Sequence, residues 1–427
     1  MSAERGQPWA ANPICLDSKR SDTMLGLKRR QSDRRGMGRK LRRSDNRILT
    51  THTGSLPRPL ALTQLYARRA RGEPVDAAEL QAAGRAAMKA IVAKQAEAGV
   101  DIGNNGEQQR DSFLFYIRDR LSGLGGSWQR RQRADVERYP IFMKESYEAS
   151  LKKESVDDIR GLPKAIGDIG YPDAGAVQAE CADFRAALDA TGNPFVEPFL
   201  TAPSPGMVSA IVKNEHYKTE EEFLAALGGA LRVEYRAIVD AGFLLQLDCP
   251  DLAREKHNTF ADRPLADFIA FGNRVIDAIN AAIHDIAPER VRLHVCWGNY
   301  EGPHDLDVEL DKIIPFLRRA KVGGFVLPFA NPRHAHEYRY LKDLIGKDQI
   351  IVAGVIDSTT NFVEHPEVIA ERLENVAGTI GDPQRVMAGS DCGFETIAGR
   401  GRVAEDVVWA KFKSMAEGAR LASERLF

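Results

Sequence analysis

His294 and Cys296 stand two residues apart at the end of Val-Arg-Leu-His-Val-Cys, a run that reads as a buried strand. Successive side chains of a strand alternate faces, so this imidazole and this thiol point the same way, side by side. A neutral imidazole and a thiolate held like that are half of a tetrahedral zinc site. Taken alone, H-x-C on an apolar strand is more often packing than ligation, so the remaining ligands have to come from elsewhere in the chain.

Composition frames that search. The 427 residues are 43% hydrophobic and 28% charged with a formal net charge of -1, an ordinary globular composition sufficient for one large domain or two medium ones. Bulk charge gives no sign of nucleic-acid binding. Five cysteines (Cys15, Cys181, Cys249, Cys296 and Cys392) are few, odd in number and scattered, which argues against a disulfide framework and for a reducing, cytoplasmic compartment. No apolar stretch approaches the roughly 20 residues of a membrane helix. Residues 1–46 depart from the average: up to Arg47 there are thirteen Lys/Arg against five Asp/Glu, a local net of +8. With almost no apolar residues this segment is expected to be a disordered basic extension and not a secretory signal, a nucleic-acid arm being the alternative.

From Ile48 onward, short β-branched or apolar runs alternate with longer amphipathic segments. The strand-like runs are RILTT, GVDIGN, NPFVEPF, AGFLLQLD, RVRLHVC, GGFVLPF, QIIVAGVID and RVMAGSD, eight in all. Asp76 with Glu79 and Thr219 with Glu222 have the spacing of capping boxes, and Gly99 and Gly242 stop the helices they open. Further helices are expected over about 264–288, 308–321, 335–346, 366–380 and 403–425. Eight strand–helix repeats close most naturally into a (β/α)8 TIM barrel spanning 47–427 as one domain. A doubly wound open sheet is the runner-up, but no Gly-x-Gly-x-x-Gly follows the first strand.

In such a barrel chemistry lies at the C-terminal ends of the strands. Cys392 falls at the end of the eighth strand and can reach the same central mouth as His294 and Cys296, so two candidate ligands become three. His304, His334 and Asp357 lie in the same set of loops and are candidates for the acid that protonates a leaving group.

These residues carry a resemblance. From about Ile48 to the C-terminus the chain resembles the cobalamin-independent methionine synthase superfamily, in particular its single-barrel members, which include the epoxyalkane:coenzyme M transferases. The shared stretches are TGSLPRP, DIGNNGEQ, LLQLDCPDLA, HVCWGNYEGPH, ANPRHAHE, DSTTNFVEHP and GSDCGF. The resemblance implies a TIM barrel with His294, Cys296 and Cys392 as zinc ligands. It further implies that Gly54, Ser55, Glu107 and Asp248 hold the thiol substrate, homocysteine in methionine synthase. Those roles suit the residue types: a carboxylate pair grips an ammonium, and a hydroxyl with its backbone N–H takes a carboxylate.

Two positions depart from the family pattern. Pro328 stands where methionine synthases carry a further zinc-ligating glutamate, and Thr359 where they carry a histidine. Asn331, otherwise a substrate-side candidate, and Glu301 and Glu337 are the residues open to replace the glutamate. The segment TAPSPGMVSAIVKNEHY has no tryptophan to stack a folate. The implied reaction is zinc-dependent alkyl transfer to a small-molecule thiol, with methylation of homocysteine first and epoxide opening by coenzyme M as the alternative. A metal-free barrel of the uroporphyrinogen decarboxylase type and a non-catalytic thiol-binding barrel complete the possibilities. Neither nucleic acid nor membrane is expected as a partner of the barrel.

Overall fold

The computed structural model describes residues 41–427 apart from 132, 151–154 and 157–160. The expected basic extension lies, through residue 40, outside the described residues. The barrel begins earlier than Arg47: Ser44 is buried, and its hydroxyl donates to Val386 O at 2.6 Å and accepts from Leu49 N at 3.0 Å.

Seven parallel strands form one curled sheet. In chain order its members are β1 (Leu49–Thr50), β4 (Phe199–Pro203), β6 (Leu244–Asp248), β7 (Val291–His294), β8 (Gly324–Pro328), β9 (Ile350–Ile356) and β10 (Val386–Ser390), neighbours in the order β1-β10-β9-β8-β7-β6-β4. The expected second strand, GVDIGN, is reduced to a bridge of Ile102 with Thr51. Its other side is bonded too, because Val196 N and Phe199 N donate to Asp101 O and Gly103 O at 2.9 and 3.0 Å. This segment therefore occupies the eighth position and closes the ring between β1 and β4.

Asn104 and Asn105 explain why that strand is so short. Their side-chain oxygens accept from Gly106 N and Glu107 N at 2.7 and 2.9 Å, turning the chain inward. The turn leaves Glu107 at a left-handed φ of 56°, a conformation that costs a non-glycine residue energy and sits where binding residues commonly do.

Every residue of β4, β6, β7, β8, β9 and β10 is buried, as expected of strands covered on both faces. Two apolar layers result. An inner cluster takes Leu49, Ile102, Phe199, Leu244, Val326 and Met387, with Ile350 and Val352, from strands all round the ring. The outer one joins strands to helices such as Glu220–Asp240, Leu265–Ala282 and Glu405–Leu426. Both residues cap their helices, Asp76 accepting from Ala78 N at 2.8 Å and Thr219 from Glu222 N at 3.1 Å, while the Glu222 carboxylate turns back to Lys218 N and not to the cap residue.

Between the second and third barrel positions the chain makes an excursion that the strand–helix rhythm does not announce. β2 (Ser122–Trp128) and β3 (Leu162–Gly170) pair antiparallel, and β3 pairs with β5 (Lys213–Asn214). Trp128 Nε1 donates to Ile211 O at 3.0 Å, and Tyr300 hydrogen-bonds Asp135, so the excursion is fastened to the loops at the barrel mouth.

Candidate metal and substrate site

His294 ends β7, Cys296 follows two residues on, and Cys392 lies two residues beyond the end of β10. The structure brings all three together: their donor atoms lie within 4.8 Å of one another, and Cys296 Sγ is 3.9 Å from Cys392 Sγ. Two thiolates on a tetrahedral zinc lie about 3.8 Å apart, given Zn–S bonds of about 2.3 Å. His294 Nδ1 faces Val326 O at 3.3 Å, while its Nε2 is buried without a hydrogen-bond partner. A ring held through one nitrogen by a carbonyl and free at the other is the usual arrangement of a metal-ligating histidine.

The two thiols influence each other in opposite directions. Their mutual hydrogen bond holds Cys296 well below the usual thiol range and pushes Cys392 well above it. Pro328 lines the same pocket and offers no donor, so the described ligand set stops at three protein atoms.

Next to the triad lie the acids. Asp248 pairs with His294 in the sheet register and accepts from Gln246 Nε2 at 2.8 Å. Burial is the largest influence on its carboxyl and lifts it to about 7, with Glu107 adding to the shift and the His294 imidazole opposing it. Glu107 Oε1 accepts from Thr201 Oγ1 at 2.8 Å, whereas Oε2 is buried and has no partner. A buried, half-satisfied carboxylate calls for a cationic group.

Gly54 is required beside it. A Cβ there would stand 2.8 Å from Glu107 Oε1, and its φ of 151° disfavours other residues. Ser55 packs on the cysteine loop, since a Cβ on Gly393 would lie 2.0 Å from Ser55 Oγ. Gly54, Ser55, Glu107 and Asp248 thus surround the side of the mouth that holds the triad.

Asn331, Asp357, His304 and His334 line the pocket with Cys296 and Cys392. Asp357 is committed locally: its carboxylate accepts from Thr359 N at 3.0 Å and Thr359 Oγ1 at 2.9 Å, and also from Thr360. Asn331 sits on a turn whose amides, Phe329 N, Ala330 N and Asn331 N, all donate to Asp391. Glu337 and Glu301 are directed elsewhere, the first to His334 and Leu310 N at 2.9 and 2.7 Å, the second exposed. His304 and His334 converge on Asp307 Oδ2 at 2.7 and 2.8 Å.

Asp307, His257 and Asp391 were not singled out from the sequence. The first carried a signal, the i,i+3 spacing of His304 to Asp307, which His334 to Glu337 repeats. His257 ends a short 3-10 helix, Glu255–His257, far along the chain from both, so only the fold brings it there.

Comparison with known proteins follows this geometry. Residues 48–419 match the model of the cobalamin-independent synthase catalytic domain. A methionine synthase of Sulfolobus acidocaldarius is 26% identical over 378 residues, covering 88% of this chain and 93% of that protein. One of Saccharolobus solfataricus is 24% identical over 382 residues, covering 88% and 95%. The fold matches that of a B12-independent methionine synthase from a Shewanella species, solved in complex with selenomethionine, with a TM-score of 0.67 at 20% identity over 89% of this chain and 99% of the other. A putative methionine synthase from Listeria monocytogenes gives 0.58 at 21% identity, covering 88% and 98%. With the family model spanning both ends of the barrel, the chain belongs to the cobalamin-independent methionine synthase family.

Proposed function

We propose that this chain alkylates a small-molecule thiol at a zinc ion held by His294, Cys296 and Cys392, and that the reaction is methyl transfer to homocysteine. The observation that carries this reading is the convergence of two thiol sulfurs 3.9 Å apart on a buried imidazole nitrogen with no other partner. Three protein donors leave a tetrahedral ion one position for a substrate sulfur. When bound there, zinc supplies the charge that keeps a coordinated thiol deprotonated near neutral pH.

The chain's own residues do the rest. Glu107 Oε2 and Asp248 take the ammonium of the amino acid, and the Ser55 hydroxyl takes its carboxylate. The buried position of these groups excludes water from the nucleophile. His304 and His334 line the same pocket and are the side chains placed to meet the charge of the leaving group. The named activity of the relatives and the selenomethionine in the Shewanella structure support a sulfur amino acid as the acceptor.

A second reading has its own observation. Arg133 lies 3.7 Å over the Tyr300 ring, and Arg254 lies against Gly298 with its Nε buried and unpartnered. Among the described residues neither guanidinium has a carboxylate within ion-pair distance. Two uncompensated cations beside the pocket favour a thiol with a strong anion, such as the sulfonate of coenzyme M.

A thiol panel with the purified, zinc-loaded enzyme tests both. Homocysteine turnover that falls in Glu107→Gln and is indifferent to Arg254→Ala supports the first reading. Coenzyme M turnover with the opposite sensitivities supports the second, and no thiol-dependent alkylation of any kind overturns both.

A further inference from the structure

Beside the thiol triad lies a second group of metal-competent side chains that the proposed reaction does not use as ligands. His304 Nε2 faces the carbonyl of Tyr300 at 3.0 Å, and His334 Nδ1 faces Glu337 Oε2 at 2.9 Å. A carbonyl and a carboxylate only accept, so each ring carries its proton on that nitrogen. In the neutral rings the other nitrogens, His304 Nδ1 and His334 Nε2, then present lone pairs, and both are aimed at Asp307 Oδ2 from 2.7 and 2.8 Å. Three acceptors facing one another in a buried site repel unless a cation lies between them.

The rings are fixed in those orientations. Trp297 stacks on His334 at 3.8 Å and 17°, and Tyr300 stacks on His304 at 4.2 Å and 30°. The remaining oxygen, Asp307 Oδ1, is buried without a hydrogen bond. His257 Nδ1 stands 3.0 Å from it but out of line for one, and neither nitrogen of that fully buried ring has a partner.

Protons can occupy the same space. Although burial opposes it, hydrogen bonds to Asp307 and Glu337 raise His334 to about 9. Protons on His304 and His334, however, leave His257 and Asp307 Oδ1 unsatisfied. A metal ion gives Asp307 Oδ1 a role as a further carboxylate donor.

We propose that His304, Asp307 and His334 form a second metal site, for a first-row divalent cation, at the pocket that the thiol triad also lines. Two imidazoles and a carboxylate without sulfur suit zinc, cobalt or ferrous iron and leave positions open. As behind His294, each ring is backed by an acceptor, the Tyr300 carbonyl behind His304 and Glu337 behind His334. Accepting the ion moves the donor pairs from 2.7 and 2.8 Å to about 3.3 Å, a displacement of about half an ångström. His304 and His334 line the pocket, which gives the ion its way in. This inference holds whichever thiol the triad alkylates.

Cobalt(II) titration of the metal-stripped full-length protein is the test, followed by absorption. Two equivalents should bind, one with a thiolate-to-cobalt charge-transfer band and one with d–d bands alone. Cys296→Ser/Cys392→Ser should keep only the second, and Asp307→Asn only the first, while zinc content after gel filtration falls from two per chain to one in each. Saturation of the unmutated protein at one equivalent, with every bound cobalt showing the charge-transfer band, overturns the proposal without touching the thiol triad. That arm needs no variant, so a misfolded mutant cannot mask the answer.

Discussion

The two clusters at the barrel mouth share a loop and differ in almost everything else. His294, Cys296 and Cys392 stand on or just past strand ends, two of them soft sulfur donors 3.9 Å apart, with one orphan nitrogen beside them. His304, Asp307 and His334 stand on loops and have no sulfur, and the two imidazoles approach Asp307 Oδ2 to 2.7 and 2.8 Å. In the proposed reaction the first takes up a substrate sulfur. The second concentrates charge facing it, and the segment Cys296 to His304 ties the two together.

Substitutions can break this pairing. The largest effect is expected from Cys296→Ser, which removes one of only two sulfur donors: alkyl transfer should fall by about 10³-fold or more, with the triad's zinc lost on plasma emission. Removal of the metal by a chelator should match it, and zinc should restore the parent enzyme but not the variant.

Glu107→Gln should act on substrate and not on metal. Losing a charge-assisted contact to an ammonium is worth about 2 kcal/mol, so KM for homocysteine should rise by about 30-fold with zinc content unchanged. A fall in zinc content would move Glu107 from the substrate to the ion.

Glu337→Gln sharpens the contrast from the other side. It leaves the triad alone and weakens what orients His334, so affinity for the second cobalt should drop by about 10-fold while the charge-transfer band persists. Equal weakening of both sites would mean that the clusters are one coupled unit.

The smallest effect on either cluster is expected from Glu180→Gln, which shows what buried charge does when no ion is needed. Glu180 accepts from Asn105 Nδ2, Arg120 and Arg110 at 2.9, 2.9 and 3.2 Å. Burial opposes its charge, yet the two arginines hold the carboxyl down at about 2 against an ordinary 4.5. A depressed carboxylate stabilises the fold fully above 4.5 and loses that contribution as the pH falls through about 2. The variant should lose about 3 kcal/mol at pH 7 by urea denaturation, become less sensitive to acid over that window, and keep its metal stoichiometry.

The same contrast explains what the sequence disclosed. Strand ends were legible because β-branched runs ending in polar residues mark them, so His294, Cys296 and Cys392 could be placed on one rim before any coordinates. The helix starts at Asp76 and Thr219 were legible for a similar reason, since capping is local. The excursion over β2 and β3 was not, because short glycine-rich strands carry no clear period. Nor was the histidine cluster: His304 and Asp307 are three residues apart in one loop, His334 comes from another, and His257 joins them only through folding. Ile102 lies between these cases, a strand by pattern that the Asn104–Asn105 turn cuts to a single bridge.

The central claim is that the triad presents an ion to a substrate sulfur, and sulfur counting by zinc X-ray absorption tests it most directly. The measurement belongs on Asp307→Asn, in which only the triad contributes. Two sulfurs and one nitrogen around zinc in the free enzyme, becoming three sulfurs on addition of homocysteine or coenzyme M, is the predicted result. A sulfur count that stays at two with every thiol, or zinc that is retained in Cys296→Ser, would contradict it.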